Sequence, residues 1–399
     1  LMKYSSEIFI TFIIVFTSFV SVGMLYLYIV RFSHSKQNYI PMFREGMINQ
    51  SEAKLDSIFV SIPSYRDKDC KTTLATLFNK AKYPQRIYIG VFMQNSGNSE
   101  EQCTLENLNA SNASNDSKSI PTAYKDHIRY LHTDYQNAKG PLYARKQIID
   151  KLYRGEKYFL MIDAHTEMID RWDANLVRML ETLKIKHGIK KPIISSYPDK
   201  MDEYHKREST NTTNVMCNIK KGHVYPVMMG AIKKPEGYFY KQFMMGGNGT
   251  FTYGSFFKEI HIDPTLEYVF NGEEFYFAAL AYTNGWDIYS FPYNCLYHMY
   301  RTNEKKTDEK LDWYADSKGV RDMNKERASH LLLKRILTDE RFARQHTYPM
   351  GVKRSLSSLY KEIGFEPKGQ KFEEHWTSKS TNRLCNEYPK LVYDKTNME

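Results

Sequence analysis

Along the first half of the chain, short apolar runs alternate with stretches whose apolar residues recur at helical spacing. SIFVSI (57–62) is a compact β-branched and aromatic run, read as a buried strand closed by Pro63. Leu74, Leu77, Phe78 and Ala81 recur every three or four positions, which predicts a helix over 70–82. RIYIGVFMQ (86–94) is a second strand and IRYLHT (128–133) a third. Between them, residues 95–120 are rich in Asn, Ser and Glu and read as a surface insertion. Leu142, Ile148, Ile149 and Leu152 predict a helix over 141–153, followed by a strand at YFLMID (158–163). A helix over 173–187 then leads to a strand at PIISSY (192–197). Strands alternating with helices predict an α/β fold with a doubly wound parallel sheet. Ligands of such sheets sit outside the carboxyl ends of the strands. PSYRDKD (63–69) and Asp163 therefore gather on one rim.

From about residue 223 the alternation fails. MGGNGTFTYG (245–254) reads as a flexible loop or a plain turn, since Gly permits close backbone approach. FNGEEFYFAALAYTNGWDIYSFP (270–292) reads as a helix, a stop at Gly285 and a short strand. Beyond 301 the chain is charged, with a helix over 321–337.

The N-terminus adds a membrane to the picture. Residues 8–30 form an uncharged apolar run of 23, enough to cross a bilayer as a helix and longer than the core of a cleaved signal peptide. Arg31, Lys36 and Arg44 after the run, against Lys3 before it, favour a cytosolic C-terminal part. The N-x-S/T sequons at Asn49, Asn109, Asn112, Asn115 and Asn211 favour a lumenal one. The five Cys (70, 103, 217, 295, 385) form no metal-binding cluster, and an odd number leaves at least one unpaired if disulfides exist. A formal charge of +10 suits acidic ligands such as nucleotide phosphates. The basic residues are scattered and carry no nucleic-acid-binding motif, so no nucleic-acid partner is expected.

Candidate chemistry starts at the strand end. Asp163 and His165 leave a strand two positions apart, so both side chains can aim at one point. A carboxylate with a neutral imidazole binds a divalent ion such as Mn²⁺, although an Asp that caps a turn beside a packed His has the same spacing. Arg145, in KGPLYAR (139–145), is either a solvated helix residue or a guanidinium held for a diphosphate. His298, in CLYHMYR (295–301), follows a predicted strand and is either structural or a third metal ligand. Glu273 and Glu274 stand at a helix N-terminus, where acids also favour the dipole.

Taken in order, SIPSYRDKD, KGPLYAR, YFLMIDAH with RWD, FNGEE, NGWDIY and HMYR resemble the polypeptide α-N-acetylglucosaminyltransferase family over residues 56–303. The chain is more distantly similar to the polypeptide N-acetylgalactosaminyltransferases, but has Phe270-Asn271 where those have Trp-Gly. The resemblance implies a GT-A fold, UDP-GlcNAc as donor, Mn²⁺ or a similar divalent cation, a polypeptide acceptor (Ser, Thr or hydroxyproline) and retention of configuration. It implies Asp163, His165 and His298 as metal ligands, with Arg145 near the diphosphate. Pro63, Ser64, Tyr65, Arg66 and Asp67 would line the nucleotide site, and Glu273 and Glu274 would face the donor sugar or the acceptor hydroxyl. Read from its glycines as a flexible loop rather than a plain turn, the 245–254 segment would lie near the acceptor. The expected organisation is a tail (1–7), a transmembrane signal anchor (8–30), a stem (31–55), a catalytic domain (56–303) and a partly helical extension (304–399). Membrane anchorage suggests the Golgi lumen, with a cytosolic domain as the alternative. A membrane-anchored binding module that keeps the fold without the chemistry is the rival function, and a nucleotidyltransferase is a third.

Overall fold

The chain folds around a sheet whose central strands are apolar on both faces. β1 (Ile58–Tyr65) is buried through its first five residues, as expected of a strand covered by helices on either side. The computed structural model describes residues 56–104, 122–205, 211–221, 225–228, 230–300, 321–367, 371–372 and 390–394. The expected tail, anchor and stem lie outside the described residues, as do Asn49, Asn109, Asn112, Asn115 and Arg301. Among the described residues no helix is long and apolar enough to cross a membrane.

After β1 come α1 (Cys70–Asn79), β2 (Ile87–Asn95), β3 (Ile128–Asp134), α2 (Pro141–Lys151) and β4 (Tyr158–Met161). They are followed by β5 (Thr166–Met168), α3 (Trp172–Ile185), β6 (Pro192–Ser195) and β7 (Asp199–Lys200). The later part supplies β8 (Lys241–Gln242), β9 (Thr250–Tyr253), α4 (Glu273–Thr283), β10 (Asp287–Tyr289) and β11 (Leu296–His298). Beyond residue 303 lie α5 (Met323–Thr338) and α6 (Leu356–Ile363), with a shorter helix, Glu340–Gln345, between them. Leu333, Ile336, Leu337, Leu359 and Ile363 from these helices share the core with the sheet.

The main sheet has the order β8-β10-β6-β9-β4-β1-β2-β3. β4, β1, β2 and β3 are parallel, as the alternation predicts. The sheet as a whole is mixed, which corrects the parallel expectation: β9 runs antiparallel to both β4 and β6. Thr250–Tyr253 is therefore neither loop nor turn but a strand with all four residues buried. The glycines before it obscure a β-branched and aromatic run long enough to bridge two neighbours. Pro63 does not close β1 either. Pairing with β4 ends at Ser61, so the missing N–H of Pro63 falls just past that ladder.

A second, three-stranded sheet of order β5-β11-β7 lies beside the first. Its register sets His298 opposite Thr166, and Met299 N–H donates to His165 O at 3.1 Å. The RWD motif is structural. Trp172 is buried and its Nε1–H donates to Leu77 O at 3.0 Å, while buried Asp173 accepts the amides of Lys82 and Tyr83 at 2.7 and 3.0 Å. α4 is apolar around its whole circumference after the first turn, which suits a helix enclosed by the core. Cys70 and Cys103 form a disulfide that ties α1 to the 99–104 segment, and Cys217 is also disulfide-bonded. Cys295 is a buried thiol that forms no disulfide.

Candidate active site

The site grows from the end of β4. Beyond Met161 the chain turns through Ile162, whose amide donates to Ser61 O at 3.2 Å, and presents Asp163 and His165 at the carboxyl edge of the sheet. Asn248, just before β9, fixes this turn. Its Oδ1 accepts the Asp163 amide at 3.2 Å and the Thr166 hydroxyl at 3.4 Å. Because a backbone N–H can only donate, that contact also settles which way round the amide group sits.

Asp163, His165 and His298 come together with their ligand atoms all within 4.8 Å of one another. The two imidazole rings have centroids 4.5 Å apart, an adjacency created by the pairing of β5 and β11. His298 Nε2 lies 3.4 Å from Asp163 Oδ2, close but outside hydrogen-bonding geometry, and both of its buried ring nitrogens lack a hydrogen-bond partner. Asp67 Oδ2 binds His165 Nδ1 at 2.7 Å. A carboxylate on one ring nitrogen is the usual means of orienting an imidazole that ligates through the other.

Arg145 joins this cluster to α4. It projects from α2, is only 3% exposed, and places Nη2 2.9 Å from Asp163 Oδ1. Its Nη1 donates to both oxygens of Glu273 at 2.8 and 3.0 Å. Gly247 makes room for this contact: a Cβ there would stand 2.7 Å from both Arg145 Nη2 and Glu273 Oε1. Glu274 accepts a hydrogen bond from the Tyr197 hydroxyl.

One guanidinium thus stands against three carboxylates, those of Glu273, Asp163 and Glu274. The balance shows in their acidities. Burial raises the pKa of Asp163, but His298 and the Arg145 charge outweigh it and hold the carboxyl well below its usual range. Glu273 goes the other way. Burial, with the nearby charges of Glu274 and Asp163, overcomes Arg145 and pushes it up to about 7. Burial likewise raises Glu274 against the Tyr197 hydrogen bond. For His298, burial prevails over Asp163 and lowers the pKa, favouring the neutral imidazole.

Asp67, Arg145, Asp163, His165, Glu273, Glu274 and His298 therefore belong to one constellation. Pro63 and Ser64 lie within β1. Tyr65 packs against Ala138 and Tyr268, and Arg66 stacks 4.6 Å above the Tyr135 ring while binding Glu101 at 3.2 Å. Asn248, Gly247 and Tyr197 are site residues that periodicity and motif spacing do not single out. The one signal for Asn248 is its place between two glycines ahead of a β-prone run.

The family model for glycosyltransferases of the GlcNAc type matches residues 57–368. No curated protein matches the chain. Among solved structures, the chain is similar to GalNAc-T7 with UDP, GalNAc and Mn²⁺, at 14% identity and a TM-score of 0.48 over 86% of this chain. The match spans 61% of the length of that structure. It is also similar to S. aureus TarS 1-349 in complex with UDP-GlcNAc, at 12% identity and a TM-score of 0.43, over 84% of this chain and 76% of that one. By the match that runs from the first residues of β1 to just past α6, the chain belongs to the glycosyltransferase (GlcNAc) family.

Proposed function

We propose that this chain transfers N-acetylglucosamine from UDP-GlcNAc to a polypeptide hydroxyl, on Ser, Thr or hydroxyproline. The reaction uses a divalent ion such as Mn²⁺ and retains anomeric configuration, on a GT-A-type fold. The observation that carries this reading is the Asp163–His165–His298 donor set standing against the buried Arg145–Glu273 pair at the rim of the sheet.

The residues fit a divalent ion. The donors are one carboxylate and two imidazoles, a set that suits Mn²⁺ and its neighbours. Both ring nitrogens of His298 are buried and make no hydrogen bond, so the site holds donor atoms that an ion would satisfy. Asp163, His165 and His298 would hold the ion, which when bound supplies positive charge against the departing diphosphate. Arg145 fixes Asp163 from behind and brings Glu273 to the same rim. Glu273 and Glu274 would face the donor sugar or the acceptor hydroxyl. The run from Pro63 to Asp67 would line the nucleotide site, where Tyr65, Arg66 and Tyr135 form an aromatic and cationic group suited to a base.

We place the catalytic domain in the Golgi lumen, anchored through residues 8–30. The Cys70–Cys103 disulfide supports an oxidising compartment. Asn211 reads out this placement, since it is exposed and heads a sequon, whereas the sequon residue Asn248 is 8% exposed within the site. A glycan on Asn211 in a secretory host supports the lumenal side, and a bare Asn211 with no glycan elsewhere on the chain refutes it.

The reaction is tested with the full chain, UDP-GlcNAc, Mn²⁺ and Thr-rich or hydroxyproline peptides, following UDP release and peptide mass. The expected product is a peptide carrying one HexNAc, with the anomeric proton reporting retention. Asp163→Ala should keep the fold and lower turnover by about 10²-fold or more. Near-normal turnover in that variant, or in EDTA, would overturn the reading. Glycan binding without UDP release would establish the binding-module function instead.

A further inference from the structure

The segment leading to Glu273 is fastened at successive points by residues from beyond position 320. Buried Asp263 is held by His346 Nε2 at 2.7 Å. The carbonyl of Thr265 accepts Ser329 Oγ at 3.3 Å, and Glu267 faces Lys325 at 3.6 Å. Lys325 and Ser329, four residues apart, share one face of α5, and His330 is the next residue round the helix.

The last fastening is the closest to the chemistry. The Tyr225 hydroxyl lies 2.9 Å from Asn271 O and 2.9 Å from His330 Nδ1. A hydroxyl has one proton, and a carbonyl can only accept. Tyr225 therefore donates to Asn271, and His330 Nδ1–H donates to Tyr225. The ring of Tyr225 fills the space beside Gly272, where a Cβ would stand 2.2 Å from its Cε2. Gly272 has φ +98° and is the N-cap of α4, so its neighbour Glu273 takes its direction from this turn.

We propose that α5 is a splint for the active site, with Tyr225 and His330 as positioning residues. They hold the Asn271–Gly272 turn, and through it aim Glu273 at Arg145 and Glu274 at Tyr197. Neither residue touches the Asp163–His165–His298 set. Their loss is therefore felt in turnover and not in metal binding. The proposal rests on the glycosyltransferase reading of the site.

The test uses the full-length protein and the variants Tyr225→Phe, His330→Ala and His330→Asn. Tyr225→Phe keeps the ring against Gly272 and removes both hydrogen bonds. Asn sets an amide N–H near the place of Nδ1, and Ala sets nothing there. Five quantities are read: kcat and KM for UDP-GlcNAc, affinity for Mn²⁺ alone, melting temperature, and deuterium uptake over residues 265–276. His330→Ala, which removes one hydrogen bond, should lower kcat by about tenfold, the upper range for a single bond, and Tyr225→Phe, which removes two, by at least as much. Uptake should quicken, while Mn²⁺ affinity and melting temperature stay near wild type. His330→Asn should recover most of both losses. Unchanged kcat in Tyr225→Phe and His330→Ala overturns the proposal, and so does failure of His330→Asn to recover more than His330→Ala. A wild-type protein that releases no UDP overturns the underlying glycosyltransferase reading and takes this one with it.

Discussion

Replacing Glu273 with Gln swaps a buried carboxylate for a neutral amide of nearly the same shape. Gln keeps an oxygen to accept from Arg145 and loses the charge that burial, Glu274 and Asp163 oppose. In the folded protein burial pushes the Glu273 carboxyl up to about 7, against an ordinary 4.5. The folded state therefore holds this proton more tightly than the unfolded chain does. Stability from that preference is full below pH 4.5, and is lost as pH rises through about 7. The gap corresponds to roughly 3 kcal/mol. Glu273→Gln cannot titrate, so its stability relative to wild type should rise by about that amount between pH 4.5 and pH 8. Urea unfolding of both proteins in EDTA, at half-unit pH steps, measures the difference directly. Parallel pH profiles for the two proteins would refute the reasoning. They would show that Arg145 fully compensates the charge and that the excess of carboxylates around it is immaterial. Transfer should be lost in this variant at every pH if the carboxylate faces the donor or acceptor, which separates its chemical role from its thermodynamic one.

His298→Ala removes a ligand and leaves Asp163 and His165 in place. Affinity for Mn²⁺, by calorimetry, should fall by about tenfold or more with little change in melting temperature; unchanged affinity would remove His298 from the metal site. Gly247→Ala drives a methyl into Arg145 and Glu273, at distances of 2.7 Å. It should destabilise the fold by about 1–3 kcal/mol and depress turnover, whereas a silent variant would show that the Arg145 contact has slack. Replacing Cys70 and Cys103 together with Ser opens a closed loop of 33 residues. The expected cost is about 3–4 kcal/mol in denaturant unfolding, and no loss would mean that the 99–104 segment contributes no constraint.

The parallel part of the fold was legible because β1, β2 and β4 are buried on both faces, and such strands read as unbroken apolar runs. β9 was not. Four residues carry no usable period, and its partners lie far away in the chain. Asp163 and His165 announce themselves because a charged residue ending an apolar run asks for a reason. Their neighbour His298 could be suspected from its place after a strand, but its nearness follows from the three-residue pairing of β5 with β11. No local pattern records such a pairing. The Arg145–Glu273 contact was hidden in the same way: each residue is an ordinary helix position until the helices meet. The strand reading of SIFVSI failed at Pro63 for a smaller reason, since proline forbids one hydrogen bond and not the extended backbone.

The position of β9 also sets an order of events during synthesis. β1 to β4 complete their mutual pairing with chain that has already emerged, and the helices between them supply nearby contacts. β6 has no partner of its own among those strands: it meets β4 only through β9, and its other neighbour, β10, lies later still. The edge of β4 and the whole of β6 therefore wait, unpaired and apolar, until the ribosome has passed Tyr253. During that interval the nascent chain carries open strand edges of the kind that chaperones cover. A ribosome stalled before β9 should hold β6 open to proteolysis, and one stalled after α4 and β10 have emerged should protect it.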